Sequence, residues 1–205
     1  MNLKMTRSRK RLKKRRGMIS QSLLKHVARA RKLAAQPFPT DPEDYNPPPL
    51  APNLASATIF ADDIPVAKTP KEKYTKFPKA ILAGCNEPLP KGVPDLRGVW
   101  YTYKGPFKEH IERIEQCGNR VVVTGGLIIH DMRADGILEH GVNDINENTG
   151  EEIHIGALFE NGCLNLYVNN ELLSVSRWLE GDEIVWTYLG KENRMRRLKA
   201  PPKAL

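Results

Sequence analysis

The sequence predicts an all-β protein whose last half folds as an up-and-down antiparallel barrel of eight to ten strands. Apolar and polar residues alternate in short segments from Arg97 to Lys199. Residues typical of tight turns separate these segments, and the range contains only one proline, Pro106. Closure into a barrel removes the exposed edges that such a row of hairpins would otherwise leave. We therefore expect a barrel domain over residues 96–200.

Residues 1–36, here called the basic tail, differ sharply in charge from the rest of the chain. They hold 13 of the 32 Lys and Arg residues and none of the 24 Asp and Glu residues. A dense basic run covers residues 4–16, and residues 18–35 have the apolar periodicity of one short amphipathic helix. The basic run is typical of a disordered arm or a nuclear-import signal, and the helix of a mitochondrial presequence or of a segment that docks on a partner or on the barrel. The basic tail predicts contact with a polyanion or a protein through residues 4–32.

Residues 37–95, here called the linker, contain 13 of the 16 prolines of the chain. Proline at this density prevents a sustained helix or a central strand. The sequence therefore predicts a disordered, basic and proline-rich leader, of which the linker is the extended part. Two short apolar segments, residues 58–60 and 80–82, are the parts expected to pack on the barrel surface.

The strands of the barrel are placed by the turns between them. Glycine and asparagine at these turns suit the positive φ angles that tight hairpins need. Sequential hairpins with one apolar face each predict a meander. The predicted strands are Gly98–Tyr103, His110–Gln116, Val121–Thr124, Leu127–Arg133, Ile137–Asp144, Glu152–Phe159, Cys163–Val168, Glu171–Leu179, Glu183–Leu189 and Arg194–Lys199.

The first strand carries the sequence Gly98-Val99-Trp100. This resembles the Gly-x-Trp signature of the calycin superfamily, which includes the lipocalins, over residues 96–199. The resemblance implies that Trp100 closes one end of the barrel and that a basic residue of the last strand packs over its ring. Arg194, Arg196 and Arg197 are the candidates. It also implies a small interior that holds one ligand.

The register of one hairpin predicts a pair of histidines inside the barrel. If Ala134-Asp135-Gly136 is a three-residue loop, His130 lies directly opposite His140. Met132 shares their face, whereas the opposite face carries charged residues and belongs in water. Such a pair would be bonded to backbone or tyrosine groups, grip the polar end of a ligand, or hold a metal ion. A shift of one residue would turn both rings outward.

The predicted ligand site consists of inward-facing side chains of the barrel. Three functions are compatible with this prediction. One is a barrel that binds a small apolar ligand, another is an isomerase or cyclase that uses the histidine pair, and a third is a scaffold protein that contacts nucleic acid or a protein complex through the basic tail. No sequence motif specifies a cofactor. The expected ligand contacts are His130, His140, Met132, Trp186 and Tyr188.

The three cysteines, Cys85, Cys117 and Cys163, form no CxxC motif. An odd number of cysteines without a signal peptide indicates free thiols in a reducing compartment. The cytoplasm is the expected location, with the mitochondrial matrix and the nucleus as the alternatives that the basic tail leaves open. No apolar run reaches the length of a transmembrane helix.

Overall fold

The computed structural model describes residues 39–70, 77–126, 128–146 and 151–200. The basic tail and its predicted helix lie outside these residues. In the described part, the only helices are 3-10 turns, at Pro42–Tyr45, Leu54–Ser56, Ala61–Asp63 and Leu138–His140. The strands are β1 Gly98–Lys104, β2 Ile111–Cys117, β3 Arg120–Gly125, β4 Ile128–Arg133, β5 Val142–Asn146, β6 Glu151–Glu160, β7 Cys163–Val168, β8 Leu172–Glu180, β9 Glu183–Tyr188 and β10 Lys191–Arg197.

These ten strands form one antiparallel sheet that curls into a nearly closed barrel. The order is β4-β3-β2-β1-β10-β9-β8-β7-β6-β5, so the first strand pairs with the last. Every other pairing joins strands that follow each other along the chain. The predicted all-β, up-and-down barrel is therefore confirmed. The order of the ladder ends at β4 and β5, which places the seam of the barrel between these two strands.

Tight turns produce this order because their backbone twist matches that of the strands they join. The β6–β7 hairpin is an example: Glu160 pairs with Cys163, and the two residues between them have φ angles of 51° at Asn161 and 76° at Gly162. Asparagine and glycine adopt this left-handed region at the lowest cost. The sequence had placed this turn correctly.

Alternate side chains of each strand point into the barrel and form its main apolar core. This cluster fills the interior with large side chains that are almost completely shielded from solvent. It consists of Leu96, Trp100, Ile114, Val121, Val123, Met132, Ala134, Val142, Ala157, Leu164, Leu166, Val175, Ile184, Trp186 and Met195.

The linker packs against the outer face of β2, β3 and β4, where a second apolar cluster forms. Leu82 is buried there with Cys85, Cys117, Val122 and Ile129. Residues 80–82 were expected to pack on the barrel surface, and the burial of Leu82 agrees with this. In the other expected segment, residues 58–60, Ile59 and Phe60 stay more than a third exposed. The outer face of these strands combines apolar residues with buried charges such as Arg120 and Asp131, because the linker, rather than water, covers it.

A disulfide bond joins Cys85 of the linker to Cys117 of β2. The prediction that all three thiols are free is therefore wrong for these two, and Cys163 alone is free. The two Cα atoms lie 6.1 Å apart, within the usual range for a disulfide, although 32 residues separate them in sequence. The sequence spacing of the two cysteines did not indicate a disulfide, because they come together only when the linker folds over β2. The disulfide also removes the argument on which the cytoplasmic location depended.

Candidate functional site

Trp100 is buried in the apolar core, with Arg197 over its ring. The Arg197 guanidinium carbon lies 4.4 Å from the centroid of the indole, whose Nε1 donates to the Leu96 carbonyl at 2.8 Å. Gly98 makes room for this contact, because a Cβ at that position would lie 2.3 Å from Arg197 Nη1. Gly98 also has a φ angle of 131°, which disfavours any side chain. The absence of a side chain at Gly98 thus leaves the space in which the Arg197 guanidinium reaches the Trp100 ring.

Arg194 and Arg196, the other two candidates for this contact, point away from the interior. Side chains alternate along β10, so Arg197 shares the inner face with Met195 while Arg194 and Arg196 share the outer one. Arg194 donates to Glu180 at 2.8 Å on the surface. Arg196 lies over the Tyr101 ring on the outside of β1. Of the three candidate arginines, it is therefore Arg197 that contacts the Trp100 ring.

An ion pair crosses the interior of the barrel. Arg177 of β8 donates through Nε and Nη2 to the two carboxylate oxygens of Glu112 on β2, each at 3.2 Å. The two strands are separated by β1, β10 and β9 in the sheet, so the contact spans the barrel rather than a ladder. The two residues are 6% and 1% exposed. Burial alone would raise the pKa of Glu112, but Arg177 and His110 lower it from 4.5 to about 2.

Among the described residues, three buried polar atoms of the barrel interior have no hydrogen-bond partner within the chain, and one of them belongs to this ion pair. They are Arg177 Nη1, Trp186 Nε1 and Thr102 Oγ1, and all three are buried on inward-facing side chains. The Arg177 guanidinium lies over the Trp186 ring, 5.3 Å from its centroid. Buried polar atoms in folded proteins nearly always have a partner, and an unpaired one costs about 1–3 kcal/mol. Each of these atoms therefore keeps the capacity to form a hydrogen bond with a group from outside the chain.

Phe107 covers this end of the barrel. It lies in the connection between β1 and β2, and its ring centroid is 5.1 Å from that of Trp186 and 5.4 Å from that of Tyr188. Its backbone N–H donates to Asn193 Oδ1 at 2.9 Å, which ties the connection to β10. The polar cluster is thus bounded by aromatic rings, a suitable wall for a flat apolar molecule.

His130 lies on the inner face of β4, in register with Val123 of β3 and next to the buried Met132. Burial lowers its pKa from 6.5 to about 4, with the charge of Arg177 acting in the same direction. Asp144 and Glu112 oppose this shift with smaller effects. The ring is therefore uncharged at neutral pH, although part of the residue remains accessible to solvent.

His140 does not lie opposite His130, so the predicted histidine pair is wrong. Residues 138–140 form a 3-10 turn instead of a strand, and β5 begins only at Val142. The cause lies at Asp135, which bridges to Leu158 of β6 and accepts a hydrogen bond from the backbone of Ile137. The chain therefore runs to β6 rather than turning back along β4.

The side chain of His140 is 41% exposed, and its Nδ1 lies 2.7 Å from Asp135 Oδ2. It lines a surface cavity of about 220 Å³ at the seam of the barrel, together with linker residues 66–68. A metal ion held between His130 and His140 has no support in this arrangement. Among the described residues, no group of three or more His, Cys, Asp or Glu side chains is placed to bind a metal.

The titration of His130 predicts acid destabilisation in a defined range. Because the pKa is lowered in the folded state, the unfolded state binds the proton more tightly, and stability falls as the pH drops from 6.5 towards 4. We expect a loss on the order of 2 kcal/mol across this range. His130→Gln should flatten the pH dependence of urea unfolding there. Equal slopes for the variant and the wild type would contradict the lowered pKa of His130.

The structure thus brings together only some of the residues that the sequence predicted. Trp186 and Tyr188 meet at Phe107, and Trp186 belongs to the same buried apolar core as Met132. Glu112, Arg177 and Phe107 were not among the site residues predicted from the sequence. One signal was present for Arg177: it occupies an inward position of β8 between Val175 and Leu179, where a charge needs a partner.

Comparison with known proteins adds no assignment. No model of a known protein family matches the sequence, and no curated protein is significantly similar to it. None of the helices in the described part of the chain has the length and apolar character to cross a membrane.

Proposed function

We propose that this protein is a ligand-binding barrel. Its site is the interior end that Phe107 covers, and the ligand is a small, largely apolar molecule with a hydrogen-bond acceptor. The observation that carries the proposal is the pair of unpartnered donors, Arg177 Nη1 and Trp186 Nε1. The calycin-like contact of Trp100 with Arg197 at the Gly98 motif agrees with this function.

Glu112 acts in this proposal as a positioning residue. It accepts from Nε and Nη2 of Arg177 and so fixes the plane of the guanidinium. Nη1, the remaining nitrogen of that group, keeps its capacity to donate. The arginine is therefore held in place by one carboxylate while part of it stays available to a ligand.

Phe107 supplies the means of access. Its ring contacts Trp186 directly, so its displacement would uncover the indole beside which the acceptor is proposed to bind. The connection that carries it contains Glu109 with a φ angle of 77°, an unfavourable backbone conformation for this residue type. A ligand with an aromatic or similarly flat body would take up the contacts that Phe107 makes with Trp186 and Tyr188.

Native mass spectrometry of the full chain, as purified from cells, tests the proposal. We expect a retained small molecule in the wild type and a loss of retention in Trp186→Phe, which keeps an aromatic ring but removes the N–H donor. Loss of one such hydrogen bond weakens binding by about fivefold to tenfold.

Trp178→Phe is the matched control, because Trp178 Nε1 donates to Glu180 on the outer surface. It should retain the molecule as the wild type does. Equal retention in both variants would count against the site, and so would a wild type that neither carries a molecule nor takes up an added aromatic ketone.

A further inference from the structure

The charges inside the barrel bear on the class of ligand. This inference rests on the function proposed above. The positive charge of Arg177 is already matched by Glu112, with which it shares two hydrogen bonds. His130 is uncharged, and the only other charged neighbour named by its titration is Asp144, an acid. Among the described residues around Arg177, which also include His110 on Glu112 Oε2, there is therefore no excess positive charge at a pH where histidine side chains are neutral.

An anionic ligand does not fit this balance. Its charge would be buried next to Glu112 and near Asp144 without a cation to compensate it, and burial of an unpaired charge is strongly unfavourable. The site thus differs from one in which a free arginine receives a carboxylate.

A cationic ligand does not fit either. The guanidinium and the indole N–H are donors only, so neither accepts a hydrogen bond from an ammonium group. Arg177 would also repel a positive charge placed against Nη1. The hydroxyl of Thr102 is the only one of the three unpartnered groups that can accept.

We infer that the ligand is a neutral molecule with a carbonyl oxygen on a flat apolar body, such as an aromatic or conjugated ketone. One carbonyl oxygen has two lone pairs, and the two donors belong to side chains in contact, since the Arg177 guanidinium lies over the Trp186 ring. The body of the molecule packs among Phe107, Trp186 and Tyr188. The site therefore selects ketones and related neutral acceptors over carboxylates of the same shape.

Three probes of nearly equal shape separate these possibilities: acetophenone, benzoate and ethylbenzene. Phe107→Ala is the host, because removal of the ring leaves a space of phenyl size against Trp186, and the wild type is measured alongside. Calorimetric titrations at about pH 8.5 keep the histidine side chains neutral. We expect acetophenone to bind at least tenfold more tightly than either of the other two probes.

Each other outcome has a distinct meaning. Preferential binding of benzoate would overturn the inference about ligand class and leave the proposed binding function intact. Equal binding of acetophenone and ethylbenzene would show that the two donors take no part, and would overturn the inference as well. Failure of all three probes to bind either protein would count against the proposed function itself.

Glu112→Gln provides a second test, whose outcome does not depend on the size of the cavity that Phe107→Ala creates. It removes the negative charge that balances Arg177, so the arginine becomes able to receive an anion. In the Phe107→Ala background, this substitution should shift the preference from acetophenone towards benzoate by about tenfold or more. Circular dichroism checks that the doubly substituted protein is folded. An unchanged preference in a folded variant would contradict the inference.

Discussion

Replacement of Arg120 by alanine is expected to lower the free energy of unfolding by about 3–5 kcal/mol, one of the two largest effects that we predict. Arg120 is 1% exposed and makes a two-pronged ion pair with Asp131, at 2.8 Å from Nε and 2.7 Å from Nη2. Without the guanidinium, the buried charge of Asp131 keeps a hydrogen bond from the Ala67 backbone N–H but loses the one cation described as its ion-pair partner. Urea unfolding followed by fluorescence measures the loss.

The same guanidinium also holds the linker on the barrel. Its Nη1 donates to the carbonyls of Ala61 and Ile64, and its Nη2 donates to that of Pro65. These three carbonyls would lose their partner along with Asp131. The linker should therefore become sensitive to proteases near residue 65 in Arg120→Ala, in addition to the loss of global stability.

Arg133→Ala is the control for this prediction. Arg133 also joins β4 to the linker, through Asp62, but the side chains are 28% and 74% exposed. An exposed pair of this kind contributes at most about 1 kcal/mol. If Arg120→Ala were no more destabilised than Arg133→Ala, the buried ion pair would not be the element that fastens the linker.

Removal of the disulfide by Cys85→Ser and Cys117→Ser together is expected to cost about 3.5 kcal/mol, from the entropy of closing a loop over a separation of 32 residues. Both cysteines are completely buried, so the bond should also resist reduction while the protein is folded. Chemical denaturation with and without a reducing agent measures both effects.

Cys163→Ser is the matched control, because that thiol is free and partly exposed. It should unfold as the wild type does, with the same sensitivity to reductant. A double serine variant that keeps the stability of the wild type would show that the packing of Leu82 and Ile129 alone secures the linker.

The barrel itself was predictable because its determinants are local. Alternation fixes which face of each strand is apolar, and turn residues such as Asn161-Gly162 fix where each strand ends. The failure at residues 137–141 shows the limit of this reasoning. Ile137 and Leu138 look like a strand, but the hydrogen bond that Asp135 accepts and its bridge to Leu158 direct the chain elsewhere.

Most of the candidate site could not be predicted from the sequence, because its contacts are not local. Register relates neighbouring strands, whereas Glu112 and Arg177 meet across the barrel from strands that are four places apart. The pairing of Cys85 with Cys117 likewise depends on how the linker folds, which proline content does not specify. The contact between Trp100 and an arginine of the last strand could be predicted from the Gly98-Val99-Trp100 motif. The choice of Arg197 among three arginines required the alternation of side chains along β10.

The pairing of β1 with β10 has a consequence for how the molecule is made. Trp100 reaches its partner Arg197 only after nearly a hundred further residues have been added to the chain. During synthesis, β1 therefore leaves the ribosome long before the strand that covers its open side exists. The barrel can close only once translation has passed β10, and until then the early strands expose an edge that molecular chaperones can recognise.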